Sequence, residues 1–139
     1  MKKKGIIVSG YFNPIHKGHI EYFNLSKKLG DILIVIVNND IQRLKKGSKK
    51  FMDEDERVVI VSNIKSVDKV YKSIDTEKSV IKSLQLVFDE LNNEYELFFS
   101  NGGDQNNKSI PEIEICKKLG IKLIDNMGDK VQSSSWLLK

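Results

Sequence analysis

Residues 32–37 read Ile-Leu-Ile-Val-Ile-Val, and no other stretch constrains the fold as tightly. A short, mostly β-branched run of this kind favours a strand over a helix. It has no alternating polar position, so both of its faces must be covered, as happens in parallel sheets flanked by helices. Ile6 to Ser9 is a second stretch that is apolar on both faces. The two runs exit into polar or glycine-rich segments, Asn38-Asn39-Asp40 and Gly10 respectively.

The remaining chain alternates in the same way. A helix is expected from about His16 to Leu29, with Ile20, Phe23 and Leu29 in its apolar stripe and Gly30 as its stop. Residues 41–52 read as a basic, irregular segment carrying Arg43, Lys45, Lys46, Lys49 and Lys50 around Gly47. Asp53 with Glu56 forms a capping-box-like start for a helix through about Ile64. Val67 to Tyr71 is the third strand, 76–92 has helical periodicity, and Tyr95 to Phe99 is the fourth strand. Ser109, Pro111 and Glu112 announce a further helix as N-cap, first-turn proline and capping-box glutamate. Gly120 closes that helix, Ile121 to Ile124 makes a fifth strand, and Ser133 to Ser135 open a short closing helix. The alternation predicts an α/β protein: a doubly wound five-stranded parallel sheet of order 3-2-1-4-5 with helices on both faces.

With 139 residues, 40% hydrophobic and 30% charged, one domain over residues 1–139 is expected. No apolar run approaches the length of a membrane span and no signal peptide is legible, so a cytoplasmic location and no membrane partner are expected. The net charge of +4, from 23 basic and 19 acidic residues, is mild and dispersed. It argues against nucleic acid as a partner and suits a small anionic substrate. Cys116 stands alone, which excludes an intrachain disulfide and a cysteine zinc cluster, and its apolar surroundings predict a buried, inert thiol.

Ligands of doubly wound sheets bind beyond the carboxyl ends of the strands where the strand order reverses. The expected order sets the first strand beside the fourth, so the loops Gly10–His19 and Ser100–Asp104 face one crevice. His16 and His19, three apart, share a helix face at a helix N-terminus, where free N–H groups suit phosphate. A metal pair is the competing interpretation, although it lacks further ligands. Gly10 and Gly18 are expected to let the backbone approach a phosphate.

Gly10-Tyr-Phe-Asn-Pro-Ile-His-Lys-Gly-His19 resembles the HxGH signature of the cytidylyltransferase-like nucleotidyltransferases, which have a Rossmann-like fold. That family includes small glycerol-phosphate and phosphoethanolamine cytidylyltransferases and the heptose 1-phosphate adenylyltransferase domain. Lys28 to Asp40, Leu44 to Ser48 with Glu56-Arg57, Asn101 to Asp104 and Ser133 to Ser135 are similar to further family segments. The resemblance implies that His16 and His19 hydrogen-bond the triphosphate and stabilise departing pyrophosphate, and that backbone around Tyr11 and Phe12 holds the α-phosphate. It implies that Lys45 or Lys46 and Arg57 neutralise the phosphates of both reactants. Asn101, Gly102, Gly103 and Asp104 then border the base or ribose, and Ser133, Ser134 and Ser135 cap the last helix onto β- and γ-phosphate oxygens. Mg²⁺ accompanies the nucleotide, and no protein-held metal is implied. The acceptor, a small phosphomonoester, is expected past Asn39 and Asp40, and a homodimer is implied.

Two departures stand out. Asn13 occupies a position where many relatives carry aspartate, and Lys130 is the only cation where cytidylyltransferases often have an arginine before the serine cluster. CTP is placed ahead of ATP because the short chain resembles the free-standing cytidylyltransferases, while Asn101-Gly-Gly-Asp104 leans toward the adenylyl side. A nucleotide-binding module without turnover is the alternative from another class.

Overall fold

The computed structural model describes residues 2–47, 49–100 and 111–124. Its elements are β1 (Lys3–Gly10), α1 (Lys17–Lys27), β2 (Ile32–Val37), α2 (Asp40–Lys46), α3 (Glu54–Ser62), β3 (Lys69–Lys72), α4 (Ile81–Leu91), β4 (Tyr95–Ser100), α5 (Ile113–Leu119) and β5 (Lys122–Ile124). The strands form one sheet of order β3-β2-β1-β4-β5, and every pairing is parallel. This is the expected doubly wound sheet. Gly10 pairs with Val37 and Val8 with Ser100, so the exits of β1, β2 and β4 lie at the same end.

Each face of the sheet is sealed by a different pair of helices. Ile6, Val8, Leu33, Val35 and Val37 pack with Tyr22 and Phe23 of α1 and Val61 of α3. Ile7, Ile34, Ile36, Leu97 and Phe99 pack with Leu84, Val87 and Leu91 of α4 and Cys116 of α5. Side chains from successive residues of β1 and β2 thus enter opposite cores, which explains their unbroken apolar runs. Each full burial contributes roughly 1.5–3 kcal/mol, so the two central strands anchor both layers. Cys116 is wholly buried, and burial, aided by the Glu112 carboxylate, pushes its thiol up to about 12. It is an inert core residue.

Several local expectations are corrected. Helix α1 buries Gly18, Tyr22, Phe23 and Ser26, whereas Ile20 and Leu29 remain exposed. His16 is its N-cap and lies outside the helix proper. The segment expected to be irregular contains α2, whose sequence pattern is inverted: Gln42 and Arg43 are buried while Ile41 and Leu44 face outward. Polar anchoring takes the place of apolar burial here. Asn39 and Gln42 form a reciprocal capping box, and Gln42 Nε2 donates to the main-chain oxygens of Glu77 at 2.7 Å and Ser79 at 2.9 Å. Gly47 then ends α2 in the left-handed region at φ +85°.

Glu112 makes no cap bond within α5. Its carboxylate accepts from Val80 N at 2.9 Å and so caps α4, joined by Asp75, which accepts from Lys82 N and Ser83 N. Ser109 lies outside the described residues. No helix among the described residues is long and apolar enough to cross a membrane.

Candidate active site

The loop from β1 to α1 is built around two rings. Phe12 is buried with φ +53°, a left-handed conformation that is costly for a bulky residue. Its ring meets His19 edge-on at 5.0 Å and Phe23 at 5.2 Å. A Cβ at Gly10 would stand 2.8 Å from the Phe12 ring, and one at Gly18 would stand 3.0 Å from the His16 ring. The steric need for both glycines is therefore met inside the loop, by aromatic packing and by the histidine cap.

His16 and His19 act as a reciprocal pair. Gly18 N donates to His16 Nδ1 at 3.1 Å, and His16 N donates to His19 Nδ1 at 3.1 Å. Their rings stack with centroids 3.9 Å apart. A ring nitrogen that accepts a hydrogen bond carries no proton, so each neutral imidazole holds its proton on Nε2. Burial, reinforced by the neighbouring His16, lowers the His19 pKa to about 4. The capping arrangement thus leaves both Nε2 atoms, with their N–H, free of the cap at the N-terminus of α1. Such donors can stabilise an anion without giving up a proton.

Arg57 and Asp40 tie the exits of β1 and β2 together. The Arg57 side chain has no solvent exposure. Its Nη1 donates to the main-chain oxygens of Tyr11 at 2.7 Å and Asn38 at 2.6 Å, its Nε to that of Met52 at 3.2 Å, and its Nη2 to Asp40 Oδ1 at 2.8 Å. Asp40 Oδ2 accepts from Glu54 N at 3.2 Å, and Asp40 N donates to Glu54 Oε1 at 2.8 Å. Burial alone would raise the Asp40 carboxyl, but the bonds from Glu54 N, Arg57 and Arg43 together hold it below its ordinary value. Arg57 is thus a buried brace that ties the exits of β1 and β2 together.

The other expected residues divide by position. Asn39 is 7% exposed, and its amide is committed to Gln42 N, Ser73 O and Asp75 O. Asn39 and Asp40 therefore serve as scaffold at the exit of β2. Lys45 is paired with Glu77 at 2.9 Å, whose carboxyl it holds below the usual range. Lys46 lies 4.4 Å from the Tyr11 ring centroid, over a residue of the β1 loop. Tyr11 Oη in turn donates to Gln42 O at 3.4 Å, and burial raises its phenol. Structure separates two lysines that sequence could not.

Two contacts went unforeseen. Tyr22 Oη lies 3.1 Å from Ser100 O and 2.9 Å from Ser100 Oγ, fastening α1 to the exit of β4. Asn13 binds residues 49–52 through both ends of its amide. Both are long-range contacts made by polar side chains, for which periodicity carries no signal. Asn101, Gly102, Gly103, Asp104, Ser133, Ser134 and Ser135 lie outside the described residues.

Comparison with known proteins gives this arrangement its context. The cytidylyltransferase-like family description matches residues 7–124. The FAD synthase of Picrophilus torridus is 31% identical over 134 residues, covering 94% of this chain and 90% of that protein. The bifunctional protein HldE of Helicobacter pylori is 32% identical over 119 residues, 84% of this chain and 24% of HldE. The chain spans less than half the length of several curated relatives that it matches, HldE among them. The crystal structure of the lipopolysaccharide core biosynthesis protein from Thermoplasma volcanium superposes with a TM-score of 0.68 at 26% identity, covering 87% of this chain and 93% of the other. The sheet order, the paired histidines after β1 and the family match over most of its length agree, and the chain belongs to the cytidylyltransferase-like family of nucleotidyltransferases.

Proposed function

We propose that the protein transfers a nucleotidyl group from a nucleoside triphosphate to a small phosphomonoester, with ATP as the donor. The observation that carries the proposal is the locked pair of Nε2–H donors on His16 and His19 at the head of α1. In the proposed reaction a phosphate oxygen of the acceptor attacks the α-phosphorus. The bond from the α-phosphorus to the bridging oxygen of the β-phosphate breaks, and pyrophosphate leaves with its electron pair. No protein nucleophile is needed, so the enzyme's task is to position the reactants and offset charge. The histidine donors face the charge that grows on the leaving group, and Lys46, beside Tyr11, offsets the repulsion between the two polyanions.

Among the described residues no three His, Cys, Asp or Glu side chains converge into a metal cage. Mg²⁺ is proposed to enter on the triphosphate, whose oxygens and water supply most of its ligands.

The preference for ATP rests on the Picrophilus relative. FAD is FMN carrying an adenylyl group, and that FAD synthase is matched over 90% of its length. The match to an adenylyl-transferring relative over that length supports ATP at least as well as CTP. A sugar phosphate such as heptose 1-phosphate is the second acceptor class, supported by the match to HldE. The implied homodimer belongs to the same proposal, with exposed Ile41 and Leu44 as apolar side chains available to a partner.

The experiment is pyrophosphate release with Mg²⁺, ATP or CTP, and a panel holding FMN, glycerol 3-phosphate and hexose and heptose phosphates. Release with ATP and at least one phosphomonoester is expected. Nucleotide binding without release from any pair would leave a binding module, and faster release with CTP would reverse the order of donors.

A further inference from the structure

Asn13 sits between the Phe12 turn and the cis Asn13–Pro14 peptide, and its side chain faces residues distant in sequence. Its Nδ2 donates to Lys49 O at 2.6 Å, while its Oδ1 accepts from Phe51 N at 2.9 Å and Met52 N at 3.1 Å. Met52 is gripped from a second side, because its oxygen accepts from Arg57, which also holds Tyr11 O. Residues 49–52 are therefore fastened to residues 11–13 of the β1 loop by two independent side chains.

Only an amide fits this clamp. One end of the Asn13 side chain faces a carbonyl and the other faces two N–H groups, so it must donate and accept at once. A carboxylate could accept both N–H bonds but would set an anionic oxygen against Lys49 O. The clamp brings the main chain of Lys49 and Lys50 to the histidine loop. Among the described residues neither lysine has a carboxylate within ion-pair distance, in contrast to Lys45 with Glu77.

We propose that Asn13 is a positioning residue that docks Lys49 and Lys50 beside the histidine loop as phosphate-binding cations. The proposal rests on the nucleotidyl-transfer assignment for its ligand, but not for its first test. In the free protein, trypsin cleavage after Lys49 and Lys50 is expected to accelerate at least about fivefold in both Asn13→Ala and Asn13→Asp, because loss of a clamp raises the open population. Unchanged cleavage in both variants overturns the clamp, whatever the protein's substrate.

The second test uses Mg²⁺–ATP and calorimetry across a salt series. Lys49→Ala/Lys50→Ala, a change of two exposed side chains, is expected to weaken ATP binding about tenfold and to flatten its dependence on salt. Asn13→Ala is expected to do the same, and adding it to the lysine double variant should cost little more, since groups acting as one unit are not additive. A purely structural role would leave the salt dependence intact. Fully additive losses, or an unaltered salt dependence in the lysine variant, overturn the docking role. Wild-type protein that binds neither ATP nor CTP removes the nucleotidyl-transfer assignment instead, while the trypsin result stands.

Discussion

His16 and His19 cap one another: each imidazole accepts a main-chain N–H at 3.1 Å through Nδ1, one from Gly18 and the other from His16 itself. The same ring thus has a structural end and, in the proposed function, a catalytic end. Two substitutions separate them. Serine is a strong N-cap residue and glutamate is a usual partner at the third helical position, so His16→Ser and His19→Glu keep the cap and remove the Nε2–H donor, the serine hydroxyl being too short to replace it and a carboxylate being an acceptor only. Each should stay within about 1 kcal/mol of wild-type stability, yet lose at least ~100-fold in turnover. His16→Ala should lose the activity and in addition ~1 kcal/mol of stability through the missing cap. Wild-type pyrophosphate release from the Ser and Glu variants would remove the histidines from the reaction.

The pair also sets an acid limit. His19 has its pKa lowered to about 4, through burial first and the neighbouring His16 second, against an ordinary value of 6.5. Between these values the unfolded chain binds a proton that the folded chain refuses, so stability falls as pH drops through this window and is flat above it. Protonation at Nδ1 would also break the bond from His16 N. Urea unfolding at pH 7.5, 6.5, 5.5 and 4.5 should show a declining midpoint below about pH 6.5. His19→Gln should lose most of that slope. An equal slope in the variant would assign the acid sensitivity to other groups.

Arg57 offers a contrast in how burial redirects a charge. Its guanidinium is fully enclosed and serves three main-chain oxygens and the Asp40 carboxylate. Removing one partner of a buried pair leaves the other uncompensated, typically at a cost of about 3–5 kcal/mol. Arg57→Met should therefore lower the melting temperature steeply. Arg57→Lys should recover only part of the loss, because an ammonium cannot reproduce the planar fork. A variant with wild-type stability that fails only in turnover would restore direct phosphate contact.

Arg57 also marks the boundary of what can be read from one dimension. The sheet order was legible because β1 and β2 are apolar on both faces, and the α1 site because glycines and histidines crowd a strand exit. The role of Arg57 was not, because a basic residue after a basic segment looks the same whether it faces ligand or three carbonyls. Helix α2 escaped notice for a related reason. It is held by the Asn39 and Gln42 amides instead of an apolar stripe, so hydrophobic periodicity had nothing to report. Asn13 was seen as a departure from aspartate, but its three partners lie 36 to 39 residues away.

Lys45 and Lys46 are adjacent and were interchangeable in sequence, yet they point to different neighbours. Lys45 is bound to Glu77, an exposed pair of the kind that contributes little. Lys46 lies over the Tyr11 ring, within the β1 loop that the proposed function assigns to phosphate. Lys45→Ala should therefore leave both turnover and the apparent affinity for ATP within about twofold of wild type, an effect of the size expected for an exposed pair. Lys46→Ala should raise the KM for ATP or the phosphomonoester about tenfold, as loss of a charge-assisted contact would, with a smaller change in kcat. Tyr11→Leu offers a check on the link, since it removes the aromatic face that steadies the ammonium while leaving the charge in place. It should weaken binding less than Lys46→Ala, and the two changes combined should fall short of the sum of their separate effects. If Lys45→Ala proves the more damaging substitution, the cation of the site is on the Glu77 side of α2, and the acceptor must be sought there.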